Sequence, residues 1–434
     1  MNRKIAASIR ILYYPIVVKS AKGSVITDNN GKEFLDFNAS WTVAALGYSN
    51  PEVIDAIKTE LEASAGLATL TLPNETALRF AEELIDITPG NFAKEVWLGH
   101  SGSDACAAAY KLLPLATKRP RAISFFGGMH GIDLAGIAMG GHPSTAKYPV
   151  PSLVSKVPYA YCYRCPFGLE YPSCGVYCAS DYIEDQVFKY VCPPEDTSFL
   201  IVEAMQSDAG DIVPPKEYLG KLKQTCEKFG ILYVSDEVKI APSRTGKIFG
   251  VENYGVVPDS VTMGKSIASG MPAGALVARE NLLDSAYLGS TLAGNTIVAA
   301  AGLATIRLLR QEKLLQSVSK LGDQLMTRLK EMKERHALIG DVRGKGLFLG
   351  IEFVRDRKTK EPATLETAKI VYQAWRLGLI TVFVGADRNV IELTPPLVIT
   401  SEEIEKGADI LEQAISDVEK DEVPDSAVKE YTGF

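Results

Sequence analysis

Long apolar runs are absent from this 434-residue chain. No stretch reaches the roughly 18 apolar residues that a membrane helix needs, and segment 296–306, rich in Ala and Gly, reads as a packed helix instead. Positive charge is not in excess. Lys and Arg number 46 against 53 Asp and Glu, a net charge of −7 with a pI near 5.4, which excludes nucleic acid as the main partner. The start, Met1–Lys4, leads into mixed polar sequence without the apolar core of a signal peptide, so a cytoplasmic location is expected. Histidine is scarce: His100, His130, His142 and His336 lack paired ligand spacing, which argues against a catalytic zinc. Seven cysteines, an odd number, fit a reducing compartment better than a closed disulfide framework. Two nucleotide motifs are missing as well. Gly264-Lys265-Ser266 has Asp259 where a P-loop needs glycine, and no G-x-G-x-x-G follows a strand-like run.

The chain does have the means to bury a large core, with 46% hydrophobic and 23% charged residues, and its length suits two or three domains. Segment 23–37 reads as a hairpin around Asn30-Gly31. Asn50-Pro51 reads as the capped start of a helix. From about Leu70 to Leu292, amphipathic helices alternate with short apolar runs such as "TSFLIVEAM" and "GILYVSDEV". That alternation predicts an α/β fold with a mostly parallel, doubly wound sheet that binds ligands at the carboxyl ends of its strands. A long helical stretch, 295–335, leads to mixed strands and helices that form a smaller α+β unit, which the N-terminal hairpin is expected to join. The expected division is 1–55 as the N-terminal part of the small domain, 56–300 as the large domain and 301–434 as the C-terminal small domain.

Three features at strand ends carry chemistry. Gly102 and Ser103 stand between an apolar strand and an Ala-rich helix, where exposed N–H groups and a hydroxyl suit a phosphate, although Ser-Gly-Ser before Asp is also an ordinary capping turn. Asp236 and Val238 are two apart, so both side chains can point to one face. The acid can then hold a pyridinium proton while the valine packs on the ring. Lys265 follows in "VTMGKSI", and a lysine in a polar pocket can form a Schiff base with an aldehyde. Together these describe a site for pyridoxal phosphate.

In these motifs, and in "GKEFLDF", "LGYSNPEV", "SGSDA", "EAMQSDAG", "TLAGNT", "GDVRGKGL" and "LTPPL", the chain resembles class III pyridoxal-phosphate enzymes of fold type I. The group includes ω-amino acid transaminases and certain racemases. The resemblance covers nearly the whole chain. It implies Lys265 as the Schiff-base lysine and Asp236 as the partner of the pyridine nitrogen, with Val238 on one ring face. It also implies Gly102 and Ser103 at the phosphate, helped by Thr291 of a second subunit, with Met129, His130, Glu203 and Lys239 completing the cofactor set. A homodimer, or a higher homo-oligomer, with the site at the interface follows from the family alone.

Three departures from the transaminase pattern bear on the reaction. Gln206-Ser207-Asp208 replaces a Gln-Gly-Glu segment, Glu392 stands where an arginine often grips a carboxylate, and Lys239 replaces a glutamine. All three are similar to α-amino-ε-caprolactam racemases, as are "HALIGD" and "ETAKIVYQAWRLGL". The expected activity is therefore racemisation of an amino lactam, amino amide or amino acid. Lys265 is the base on one face of the substrate, Asp208 the candidate on the other, and Trp41 lines the substrate pocket. The alternative is an aminotransferase that anchors its substrate carboxylate on Arg244 or Arg343. Met129 replaces the aromatic residue that usually precedes His-Gly, so no phenolic hydroxyl is available there. Lys239 is expected near the cofactor's phenolic oxygen, and Glu237 has no assigned role. Finally, Cys162, Cys165, Cys174 and Cys178 form a C-x2-C and C-x3-C pair. Structural zinc, reduced thiols and disulfides are all compatible with that spacing.

Overall fold

The computed structural model describes residues 6–9, 11–431 and 433. Three short strands open the chain, β1 (Val18–Lys22), β2 (Val25–Asp28) and β3 (Glu33–Asp36). β2 and β3 pair antiparallel, with Thr27 opposite Glu33 across the Asn30-Gly31 turn, which is the hairpin expected from the sequence. The following helix, Pro51–Ser64, is capped by the Asn50 side chain, which accepts N–H bonds from Glu52 and Val53.

Seven strands build the main sheet: β4 (Lys94–Gly99), β5 (Arg121–Phe125), β6 (Val154–Val157), β7 (Thr197–Glu203), β8 (Leu232–Asp236), β9 (Ser260–Met263) and β10 (Gly274–Arg279). Their order is β4-β10-β9-β8-β7-β5-β6. The neighbours from β6 through β9 run parallel, while β10 is antiparallel to both β9 and β4. All seven residues of β7 are buried, as expected for a parallel strand covered on both faces. The main sheet is thus the mostly parallel α/β sheet expected from the sequence. Because β4, β5, β7, β8 and β9 point the same way, the segments leaving them emerge at one edge of the sheet, and these segments carry Gly102, Met129, Asp208, Val238 and Lys265.

The C-terminal strands are β11 (Ile339–Lys345), β12 (Phe348–Asp356), β13 (Glu361–Pro362), β14 (Leu379–Ile380), β15 (Val382–Val384) and β16 (Val390–Leu393). β14 pairs parallel with β3, joining the two ends of the chain in one sheet. β11, β12, β16 and β15 form a second, antiparallel sheet. The expected long helix at 295–335 is two helices, Thr296–Leu309 and Glu312–Arg335, separated at Arg310 and Gln311. Among the described residues no helix is long and apolar enough to cross a membrane.

Candidate active site

The carboxyl edge of the main sheet opens on a cavity of about 520 Å³, lined among others by Trp41, Gly102, Ser103, Met129, Asp236 and Lys265. A smaller recess of about 20 Å³ continues from it, where Lys265, Asp208, Lys239 and Glu203 come together. Glycine makes this junction close. A Cβ on Gly102 would lie 2.4 Å from Val238 Cγ1, and one on Gly264 would lie 2.7 Å from the Gly102 nitrogen. The helix Gly102–Thr117 is capped by the Ser101 hydroxyl, which accepts from Asp104 N–H. The capping turn and the exposed helix start therefore coexist, and the Ser103 hydroxyl accepts the Ile132 N–H at 3.4 Å.

Asp236 ends β8 with its side chain buried. Its Oδ1 accepts Val238 N–H at 3.1 Å. Its Oδ2 meets His130 Nδ1 at 2.7 Å and the Cys106 thiol at 3.4 Å. Burial opposes ionisation of Asp236, but the His130 hydrogen bond and charge, with the Val238 and Cys106 donors, outweigh it and hold the carboxyl below its ordinary range. In turn, burial works against a charged His130, and the bond and charge of Asp236 reverse that and raise it. An ionised carboxylate facing the cavity is what a protonated pyridine nitrogen requires.

Lys265 opens a short helical turn and has φ of +45°, a left-handed backbone that costs a non-glycine residue about 1–2 kcal/mol. Burial, and then the charge of Lys239, lower its pKa. A lysine amine that gives up its proton readily is suited to attack an aldehyde. The residues thus fit pyridoxal phosphate: the helix start would hold the phosphate, Val238 would pack against the ring, Asp236 would pair with the nitrogen and Lys265 would react with the aldehyde.

Lys239 and Glu392 are partners, with Nζ and Oε1 3.0 Å apart and both side chains buried. Glu392 also accepts the Ser207 hydroxyl at 2.7 Å, and the Lys239 ammonium sits 4.5 Å from the centre of the Trp41 ring. Burial disfavours the charge on Lys239, but Glu392 and Asp208 more than offset that and raise its pKa. Trp41 is delivered by an unusual segment: Ala39, Ser40, Trp41 and Thr42 all have positive φ, between 49° and 69°. The run is held by Asn38 Oδ1, which accepts Trp41 N–H, and by Thr42, whose hydroxyl donates to the Lys239 carbonyl. No residue pattern announced this left-handed turn.

Other sequence candidates fall outside the site. Thr291 is exposed and absent from the cavity lining of its own chain. Arg244 is buried and donates to the carbonyls of Leu347 and Pro395. Arg343 grips Glu352 and Asp341 and the carbonyls of Gly210 and Asp211. As placed, neither arginine borders the cavity, which removes both anchors considered for a substrate carboxylate. Glu237, unassigned from sequence, accepts Gly250 N–H at 2.8 Å, Val251 N–H at 2.9 Å and the Ser235 hydroxyl at 3.0 Å, so it holds the segment that follows β8. Cys162, Cys165, Cys174 and Cys178 line one small pocket as free thiols. Tetrahedral zinc needs sulfurs roughly 3.8 Å apart. Among the described residues, the group of His, Cys, Asp or Glu side chains whose donor atoms all lie within 4.8 Å of one another is Cys106, His130 and Asp236; no three of the four loop thiols converge that closely in the metal-free chain.

Fold and site together define a pyridoxal-phosphate enzyme of fold type I. More narrowly, the chain belongs to the class III aminotransferase family, whose model matches residues 8–415. It is 37% identical to an alanine/serine racemase of Pyrococcus horikoshii, with 96% of this chain and 89% of that protein covered. It is 38% identical to a leucine/methionine racemase of Thermococcus litoralis, covering 98% and 96%. Among solved structures, an amine transaminase from an uncultivated Pseudomonas species in its PLP-bound form superposes with a TM-score of 0.87 at 27% identity, covering 96% of this chain and 98% of that one.

Proposed function

We propose that this chain is a racemase that inverts the α-carbon of an amino acid with an apolar or small side chain, an amino amide or an amino lactam. The observation that carries the reading is the pairing of two proton carriers, Lys265 and Asp208, on one cavity, in a member of a family whose relatives include the two racemases above. When bound, pyridoxal phosphate supplies an electron sink that acidifies the substrate Cα–H. Lys265, with its lowered pKa, takes that proton at Nζ on one face and returns it from there for the reverse direction. Asp208 serves the opposite face at its carboxylate oxygens. Asp236, kept ionised by His130, fixes the charge at the ring nitrogen. Glu392, committed to Lys239 and Ser207, provides no cation for a second substrate carboxylate, which disfavours dicarboxylate amino donors and acceptors. Ile11, Trp41, Val43, Met271 and Pro272 give the open part of the cavity an apolar wall.

The second reading is transfer of the amino group to a keto acid, supported by the family and by a 4-aminobutyrate aminotransferase of Escherichia coli at 32% identity. One assay separates the two. Single enantiomers of alanine, leucine and an amino lactam are incubated with and without a keto-acid acceptor, and chirality and keto product are followed. Loss of chirality without acceptor supports racemisation. Keto product that depends on acceptor, with chirality retained, overturns it.

A homodimer accompanies this reading. Ile132, which lines the cavity, is 81% exposed in the single chain, as is Tyr287, and Leu134 is 73% exposed. A second copy covering them would bring Thr291 to the partner's phosphate site. The seven free cysteines suit a cytoplasmic setting.

A further inference from the structure

Two irregular segments flank the recess. One follows β5 and carries Met129 and His130, and the other follows β7 and carries Ser207 and Asp208. Each segment has backbone bonds of its own, Gln206 in a bridge with Ile212 and the Gly128 carbonyl accepting from Gly141 and His142 N–H, but these do not tie one segment to the other, and proton transfer tolerates little displacement. Glu203, the last residue of β7, is 6% exposed. Its Oε1 accepts Met129 N–H at 3.0 Å, and its Oε2 accepts Ser207 N–H at 3.2 Å. Each carboxylate oxygen therefore holds a different segment. Gln206 adds a weaker tie, donating from Nε2 to the Phe126 carbonyl at 3.0 Å.

We propose that Glu203 is a positioning residue that, when ionised, latches the Met129 segment to the Asp208 segment and so sets the geometry of proton transfer. This rests on the racemase reading for the role of Asp208. A protonated carboxyl has one O–H, itself a donor, so it can accept only one of the two N–H groups well. The charged and titratable groups around Glu203 are His130 from the β5 segment, Asp236 from β8 and Asp208 from its own segment, Lys239 and Lys265 on the same recess, and Tyr159, whose hydroxyl donates to the Glu203 carbonyl. Burial pushes Glu203 up, His130 and the Met129 N–H pull it down, and Asp236 and Asp208 push it up again, to about 7. The latch therefore closes as pH rises through neutrality.

The test is Glu203→Gln, with Glu203→Asp as a conservative companion. An amide offers one acceptor oxygen whatever the pH, so kcat should fall about tenfold with KM little changed, and the acid limb below about pH 7 should flatten. Glu203→Asp, which keeps two acceptor oxygens, should restore part of kcat and keep a pH-dependent limb. In the cofactor-free protein, hydrogen exchange at Met129 and Ser207 N–H should quicken about tenfold in the Gln variant relative to wild type. Unchanged protection of both amides, or an acid limb identical to wild type, overturns the latch and assigns that limb to His130 or Lys265. If the amides respond but no substrate loses chirality, the latch stands and the racemase reading fails. If wild type racemises and the Gln variant matches it, the latch fails alone.

Discussion

Removing the Lys239 ammonium while leaving Glu392 in place should destabilise the protein more than removing both. The pair is 3.0 Å apart, with side chains 7% and 0% exposed. In Lys239→Met, Glu392 keeps the Ser207 hydroxyl at 2.7 Å and long contacts to the Asn38 amide and the Thr394 hydroxyl, both at 3.4 Å. Breaking one half of a buried ion pair typically costs about 3–5 kcal/mol, whereas neutralising both halves is often close to neutral. Part of the loss comes from the Trp41 ring, since a desolvated cation–π contact contributes about 2 kcal/mol. Unfolding entropy of roughly 2.1 cal/mol/K per residue gives about 0.9 kcal/mol/K for the whole chain, so a loss of 4 kcal/mol lowers the melting temperature by about 4 °C. The assay is a double-mutant cycle of Lys239→Met, Glu392→Gln and the double variant, measured on cofactor-free protein by urea unfolding followed by two spectroscopic probes. A coupling energy of about 2–4 kcal/mol is expected. Losses that add to within about 0.5 kcal/mol would mean that the two residues act independently, and the pairing argument would be wrong.

Three further outcomes follow from the same geometry. Lys265→Ala should abolish the long-wavelength absorption of covalently held cofactor and lower activity by at least about a thousandfold, because the nucleophile and one proton carrier are lost together. Asp208→Asn in heavy water should slow Cα proton exchange from one enantiomer by about a hundredfold more than from the other, and equal slowing of both would remove Asp208 from a face-specific role. Glu237 is pushed up by burial to about 7 against the Val251, Gly250 and Ser235 donors. A folded pKa raised above the unfolded value near 4.3 means that its contribution to stability declines as pH climbs from about 4 through 7. Glu237→Gln should flatten that part of the urea-stability profile, and an unaltered slope between pH 5 and pH 7 would show that Glu237 does not titrate there.

The parts of the site that were legible in sequence are those fixed by local spacing. Asp236 and Val238 do meet on one cavity, although not by the strand alternation expected, since β8 ends at Asp236 and Val238 follows in a turn, its N–H donating to Asp236 Oδ1. Gly102 stands at a helix start because an apolar run ends just before it. Glu237 escaped because its partners, Gly250 and Val251, lie 13 and 14 positions on, and nothing local marks a carboxylate that holds a distant turn. The left-handed run at Ala39–Thr42 escaped for a different reason. None of those residues is glycine, so intrinsic preference pointed away from that backbone, and only the surroundings, through Asn38 and Lys239, enforce it. Arg244 and Arg343 looked like carboxylate anchors by residue type, but type does not reveal that Arg244 Nη1 is committed to the Leu347 and Pro395 carbonyls or that Arg343 is committed to Glu352 and Asp341.

Lys239 and Glu392, 153 positions apart, appeared in sequence as two separate departures from the transaminase pattern, one adding a positive charge and one replacing an arginine with an acid. In the fold they neutralise each other. Either change alone would bury an unpaired charge in the recess, which is strongly unfavourable; together they take the two positions from the single positive charge of a glutamine and an arginine to a neutral pair, removing a cation free to hold a second carboxylate. On the proposed reading, a site so arranged retains what pyridoxal-phosphate chemistry needs, with Lys265, Asp236 and the helix start at Gly102 in those roles. It gives up what an exchange of amino groups with a dicarboxylate keto acid needs. With Asp208 on the same cavity, the chemistry that remains best served is removal and return of one proton.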